Sequence, residues 1–132
     1  MWSFGCVLAE LHKGFPLFPG KDEGDQMLMF MEFLGKPPIY LLEKAPRRKK
    51  FFDPYYECII VQKKKRRSKS VEEILESEDK LFIDLIKRCL EWDPAHRITP
   101  EEALLHEWII QGIPLNLRAR HRMEVEAQMQ NE

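Results

Sequence analysis

The side chains in this sequence that could do chemistry are few and scattered. Cys6, Cys58 and Cys89 are odd in number and far apart, which is no disulfide framework. Cys6 and Cys89 fall within apolar helical patterns and read as small buried hydrophobes. His12, His96, His106 and His121 lie far from one another, and no Cys-x-x-Cys or His-x-x-x-His spacing occurs. No metal ligands are therefore expected. Ser68, Ser70 and Ser77 offer hydroxyls for phosphorylation, but nothing in the sequence separates them from ordinary loop serines.

Charge is the strongest chemical signal. The 132 residues carry a formal net charge of −1. Pro46 to Lys69 holds ten Lys or Arg against Asp53 and Glu57, a net of +8, which leaves −9 for the rest. Two clusters make this stretch basic, Arg47-Arg48-Lys49-Lys50 and Lys63-Lys64-Lys65-Arg66-Arg67. Such tracts bind nucleic acid, an acidic protein or a nuclear import receptor, or are solvated loop. Lys63, Lys64, Lys65, Arg66 and Arg67 form the candidate partner-binding tract and a weak nuclear signal. Nucleic-acid binding is not expected, because no aromatics interleave the tract to stack bases.

The elements that must position these groups are mainly α-helical. Met1 to about Lys13 predicts a helix apolar on nearly every face, the kind that sits inside a larger protein. No capping Ser, Thr, Asp or Asn precedes it. It reads as the middle of a buried helix rather than the start of a protein. Glu10, His12 and Lys13 end the apolar run after about a dozen residues, short of the ~20 a membrane span needs, and no basic region or cleavage site marks a signal peptide. The composition, 44% hydrophobic and 33% charged, fits an intracellular globular segment, cytoplasmic or nuclear, with no membrane.

Gly14 to Gly20 predicts a Pro- and Gly-punctuated loop. Asp22 or Asp25 caps the next helix, which carries Met27, Leu28, Phe30, Met31 and Leu34 and stops at Gly35 and Pro37-Pro38. Ile39 to Lys44 predicts a short helix. Phe51-Phe52 is expected to be anchored in the fold. Cys58 to Val61 predicts a short strand, at most one strand or hairpin in a helical chain, and the basic run after it is expected to be mobile. Val71 to Leu75 is a short helix. Leu81, Phe82, Leu85, Ile86, Cys89 and Leu90 make one apolar helical stripe. Thr99-Pro100-Glu101-Glu102 has capping-box spacing with proline at the first helical position, and Ala103, Leu104, Trp108, Ile109 and Ile110 are expected to supply that helix's core contacts. From Pro114 the chain turns charged, a tail or a surface helix.

Four segments carry a resemblance. Trp2-Ser3-Phe4-Gly5-Cys6-Val7-Leu8-Ala9-Glu10-Leu11, Pro16-Leu17-Phe18-Pro19-Gly20, Leu90-Glu91-Trp92-Asp93-Pro94-Ala95-His96-Arg97-Ile98-Thr99 and Ala103-Leu104-Leu105-His106-Glu107-Trp108 resemble, in order and spacing, the distal half of a eukaryotic protein kinase C-lobe. Gly20 to Gln26, Leu34-Gly35-x-Pro37-Pro38, the basic run into Phe51-Phe52 and Leu90 to Pro94 are similar to the dual-specificity tyrosine-regulated kinase family, of the group that includes cyclin-dependent and mitogen-activated kinases. The resemblance implies a partial kinase domain over residues 1–110, a group-specific insert at about 39–78 and a charged tail at 111–132. It implies Trp2, Gly5, Trp92, Asp93, Arg97 and Trp108 as structural anchors. It also implies phosphoryl transfer from ATP and magnesium to Ser or Thr of protein substrates in a full-length parent, with tyrosine autophosphorylation during maturation.

The sequence contains no Gly-x-Gly-x-x-Gly, Val-Ala-Ile-Lys, His-Arg-Asp, Asp-Phe-Gly or Ala-Pro-Glu, the parts that bind nucleotide and metal and perform the transfer. The expectation is a kinase fragment, inactive alone, with no catalytic, cofactor or metal residues of its own. Its partners would be protein substrates or the rest of the kinase domain. The alternative is a non-catalytic interaction module that binds proteins through the basic insert. In the family, Arg97 pairs with the glutamate of Ala-Pro-Glu, so here it is expected to swing into solvent.

Overall fold

The computed structural model describes residues 1–62 and 67–131. Lys63 to Arg66, most of the second basic cluster, lie outside the described residues, as does Glu132. The described chain is helical and contains no strand. Eight α-helices succeed one another: α1 (Trp2–Lys13), α2 (Glu23–Leu34), α3 (Ile39–Lys44), α4 (Val71–Leu75), α5 (Lys80–Cys89), α6 (Pro100–Leu104), α7 (Glu107–Gln111) and α8 (Leu115–Gln130), with a single 3-10 turn at Arg48–Lys50 between α3 and α4.

Helix α5 is the centre. Phe82, Ile83, Leu85, Ile86 and Cys89 are buried on it, and it packs most extensively against α1. Ile83 is buried and Leu81 exposed, so the apolar stripe is rotated by part of a turn from its predicted position. The crossing with α1 is close because position 5 has no side chain. A Cβ on Gly5 would lie 2.6 Å from the Cβ of Cys89. Leu17, Phe18 and Phe33 complete the main core with Ala9, Leu75 and Leu90. A separate small core, Leu42 with Phe51 and Phe52, anchors the insert.

Local chemistry explains where the helices begin and end. The Asp22 carboxylate accepts the Asp25 N–H at the start of α2, and Gly35, at φ 77°, closes that helix. Asp79 Oδ1 accepts the N–H groups of Leu81 and Phe82 at the start of α5. Ser70 with Glu73, and Thr99 with Glu102, close full capping boxes. Each satisfies helix donors that would otherwise lack partners.

Two expectations are corrected. The strand predicted at Cys58 to Val61 is an isolated antiparallel bridge between Phe52 and Cys58. The turn at Asp53–Glu57 brings the two together, but no further strand extends the ladder, and a lone pair of short strands is marginal in water. The helix predicted to run from Thr99 through Ile110 is two helices. His106 has extended backbone, φ −66° and ψ 139°, and caps α7 through its own ring; the break leaves Leu104 exposed. After Pro114 the helical alternative is the one the structure takes: residues 115–130 form α8, whose Val125 is buried and whose His121 reaches the Leu104 carbonyl at 2.9 Å.

Candidate functional site

The anchors Trp2, Trp92 and Arg97 come together where α1 meets the turn after α5. Trp2 lies 6.0 Å from Trp92, and Phe30 of α2 sits edge-on to both, at 5.4 and 6.2 Å. Such offset and edge arrangements are the favourable ones for aromatic rings. The Trp92 indole donates to the Gly35 carbonyl at 3.1 Å, tying the turn to the end of α2.

Arg97 does not swing into solvent. Its Nε and Nη2 donate to the Glu91 carbonyl at 3.0 and 2.9 Å, and Nη2 also reaches the Trp92 carbonyl at 3.3 Å. The guanidinium carbon lies 5.4 Å over the Trp2 ring. Carbonyl oxygens and an aromatic face thus take the place of a carboxylate, and the planar fork of arginine suits both.

Asp93 closes the same turn. Oδ1 accepts the Ala95 N–H at 2.9 Å and Oδ2 accepts the Tyr40 hydroxyl at 2.7 Å, with His96 Nδ1 3.6 Å away. The Tyr40 hydroxyl, then the Ala95 amide, hold the Asp93 carboxyl below its usual range, and Asp93 in turn pushes the Tyr40 phenol up. Trp108 stands apart from this group. It packs at 5.4 Å on Phe82 and donates its indole N–H to Asp79 Oδ2 at 3.2 Å. Gly5 serves the α1–α5 crossing described above.

A second polar group joins α5 to α7. The Trp108 N–H donates to His106 Nδ1 at 3.1 Å, so Nε2 carries the ring proton and donates to Asp84 Oδ2 at 2.7 Å. Arg88 Nε donates to the same oxygen at 2.7 Å. His106, then Arg88, lower the Asp84 carboxyl. These residues, with His96, Glu102 and Glu107, line an open cleft of about 470 Å³. Every hydrogen bond described here is spent inside the fold, and among the described residues no three His, Cys, Asp or Glu side chains converge as a metal-binding set.

Among the described residues of the basic insert, Arg47, Lys50 and Arg67 have acidic partners in the chain. Arg47 binds both oxygens of Glu23 at 2.7 Å, and Lys50 binds Glu23 as well. Together they take the Glu23 carboxyl down to about 2. Arg48 lies 4.9 Å over the Tyr56 ring. Of the tract at 63–67, Arg67 is described, and it pairs with Glu73 at 2.8 Å. A cleft of about 700 Å³ opens beside it, walled by Leu28, Met29 and Met31 of α2 and by Ile60 and Val61.

Sequence reasoning missed the Tyr40–Asp93 and His106–Asp84 contacts, which join residues 53 and 22 positions apart; no local spacing announces them. It also missed the capping box at Ser70, which the Ser-x-x-Glu spacing did announce. Burial behaves as read for one cysteine: Cys89 is fully buried and its thiol is pushed up to about 11. Cys6 is half-buried and Cys58 exposed.

A protein-family model described as "Protein kinase domain" matches residues 1–109. The chain is 52% identical over 114 residues to dual specificity tyrosine-phosphorylation-regulated kinase 2 of Drosophila melanogaster, covering 83% of this chain and 16% of that protein. It is 43% identical over 136 residues to dual specificity tyrosine-phosphorylation-regulated kinase 3 of Homo sapiens, covering 86% and 23%. Against kinase 4 of that series, also from Homo sapiens, it is 42% identical over 125 residues, covering 91% and 24%. The chain thus spans between about a sixth and a quarter of the length of the curated relatives it matches.

Proposed function

This chain belongs to the protein kinase domain family, on the side of the dual-specificity tyrosine-regulated kinases, and from that premise we propose that it is C-lobe scaffold of an ATP-dependent protein serine/threonine kinase of dual specificity. The single observation that carries the reading is the match of residues 1–109 to the kinase domain. The parent would transfer phosphate to proteins, and this chain alone would not.

The residues present do not fit a nucleotide–magnesium site. A kinase needs carboxylates free to hold metal and backbone or lysine donors aimed at phosphates. Asp93 is engaged by Tyr40 and Ala95, and Asp84 by His106 and Arg88. No transfer step is therefore assigned to these side chains. Their work would be positional: Trp2, Trp92 and Arg97 lock α1 against the α5–α6 turn, giving a rigid base for segments that carry the chemistry. Calorimetry with ATP–magnesium and a phosphorylation assay on a basic peptide test this. The expected result is no heat of binding and no phosphate transfer; measurable ATP affinity would overturn the inactivity. In-frame kinase motifs in the upstream coding sequence would support the parent.

A second reading, a non-catalytic interaction module, is favoured by one observation. Phe4, Val7 and Leu11 are exposed on one face of α1. The basic insert supports it less, since Arg47, Lys50 and Arg67 already have acidic partners within the chain. No described helix is long and apolar enough to cross a membrane. A cytoplasmic or nuclear location is part of the proposal: replacing Lys63 to Arg67 by neutral residues should shift the distribution of the chain in cells, and an unchanged distribution rejects the import signal.

A further inference from the structure

Glu73 does two jobs at once. Its Oε1 pairs with Arg67 at 2.8 Å, while its Oε2 accepts the Ser70 N–H at 2.9 Å. The Ser70 hydroxyl in return accepts the Glu73 N–H at 3.2 Å. One exposed carboxylate therefore ties together the Arg67 guanidinium and the Ser70 backbone amide, three residues apart in the run Arg67-Ser68-Lys69-Ser70-Val71. Residues 67–70 are not helical, and Ser70 is exposed with extended backbone, φ −70° and ψ 164°.

That combination is what a protein kinase acting on this chain would select. Such an enzyme threads its acceptor through a groove in extended form and chooses it by charge at a fixed offset, with acidic side chains gripping a guanidinium bidentately. An aliphatic residue directly after the acceptor, here Val71, fills the next pocket. The other two serines fit less well. Ser77 has Ile74 at the corresponding offset and its hydroxyl accepts the Asp79 N–H at 3.2 Å. Ser68 has Lys65, an ammonium rather than a guanidinium, at that offset and a lysine, not an aliphatic side chain, directly after it.

We propose that Ser70 is a phosphorylation site for a separate, arginine-selecting protein kinase, and that Glu73 masks it by holding Arg67 and the Ser70 backbone together. In the step, the Ser70 hydroxyl oxygen attacks the γ-phosphorus of the ATP–magnesium carried by the acting kinase. The new O–P bond replaces the bond to the β–γ bridging oxygen, ADP leaves, and the hydroxyl proton passes to the acting kinase's base. The product has a consequence for the fold. A phosphate brings close to two negative charges at pH 7 and three acceptor oxygens. It repels Glu73 and competes for Arg67, so the capping box cannot persist in its present form. Helix α4 carries Leu75, fully buried in the main core, so a loosened α4 is felt there.

The test uses the whole chain, ATP–magnesium and the catalytic subunit of cyclic-AMP-dependent protein kinase as an arginine-selecting probe, with sites mapped by mass spectrometry. Phosphate is expected on Ser70 and is lost in Ser70→Ala. Arg67→Ala is expected to slow incorporation about tenfold, the order of one lost charged contact. Glu73→Gln is expected to speed it, because the site is released. Both substitutions sit on an exposed ion pair of small stabilising worth, and unchanged circular dichroism checks that they fold. Hydrogen exchange over Val71 to Leu75 is expected to quicken in the phosphorylated chain. Incorporation that is absent, or that survives Ser70→Ala, overturns the site. A Glu73→Gln rate equal to that of the parent chain overturns the masking.

Discussion

Single residues carry two tight constraints. Gly5 lets α1 approach α5 until the space for a methyl group is already taken by Cys89 Cβ, 2.6 Å away. Neither atom belongs to a flexible chain end, so the helices themselves must shift. Gly5→Ala is expected to destabilise the fold by about 1–3 kcal/mol through overpacking, despite alanine's better helix propensity; a lower midpoint in urea denaturation checks it. Arg97 is the other. Its partners were not legible in the sequence. The carbonyls of Glu91 and Trp92 and the ring of Trp2 became available only when the turn after α5 closed against α1.

At the level of elements, caps do much of the positioning. Asp79 serves two helices: one oxygen accepts the first N–H groups of α5 and the other accepts the Trp108 indole of α7. Thr99 serves α6 alone. Losing an N-cap costs about 0.5–2 kcal/mol, so Asp79→Ala is expected to lower the thermal midpoint more than Thr99→Ala does. Equal effects would mean that the indole contact adds nothing. Most helices were legible in the sequence because apolar periodicity and capping residues are local signals: α1, α2 and α5 fall close to where they were read. The split at His106 was not, since it depends on Asp84, 22 residues away, orienting the histidine ring. The strand at Cys58 failed for a related reason. Its residues favour strand, but a strand exists only with a partner, and Phe52 supplies one bridge.

The whole molecule shows an asymmetry. Gly5 and Ala9 face the core from α1, while Phe4, Val7 and Leu11, three and four residues apart, form the opposite face, Leu11 being 77% exposed. Contiguous exposed apolar faces drive association. Replacing Val7 and Leu11 by lysine is expected to reduce concentration-dependent self-association in sedimentation velocity, and a parent chain that is monomeric at every concentration would remove the basis for this. Acid should loosen the molecule as a whole. Hydrogen bonds, from Arg47 and Lys50 first for Glu23, Arg67 for Glu73, His106 for Asp84 and Tyr40 for Asp93, hold these carboxyls below their ordinary values in the fold. Groups lowered on folding add stability that is complete above the unfolded value and is lost as pH falls toward the folded one. The thermal midpoint is therefore expected to hold down to about pH 5 and to fall below it, toward the value of about 2 reached by Glu23. Added salt should narrow the part of the difference that comes from Glu23 and Glu73, because their ion pairs are exposed.

The sequence by itself determined the family, the helical class and most helix positions, because motif order, apolar period and caps are written in neighbouring residues. Tertiary structure alone decided what the anchors hold. Trp2 meets Trp92 across 90 positions and Tyr40 meets Asp93 across 53, and local spacing cannot specify contacts that exist only once α1, α2 and α5 have packed. It also decided that Arg47 and Lys50 pair with Glu23, and Arg67 with Glu73, on the surface of the fold. A run of positive charge states its sign in the sequence, but whether acids of the same chain neutralise it depends on where the fold brings them.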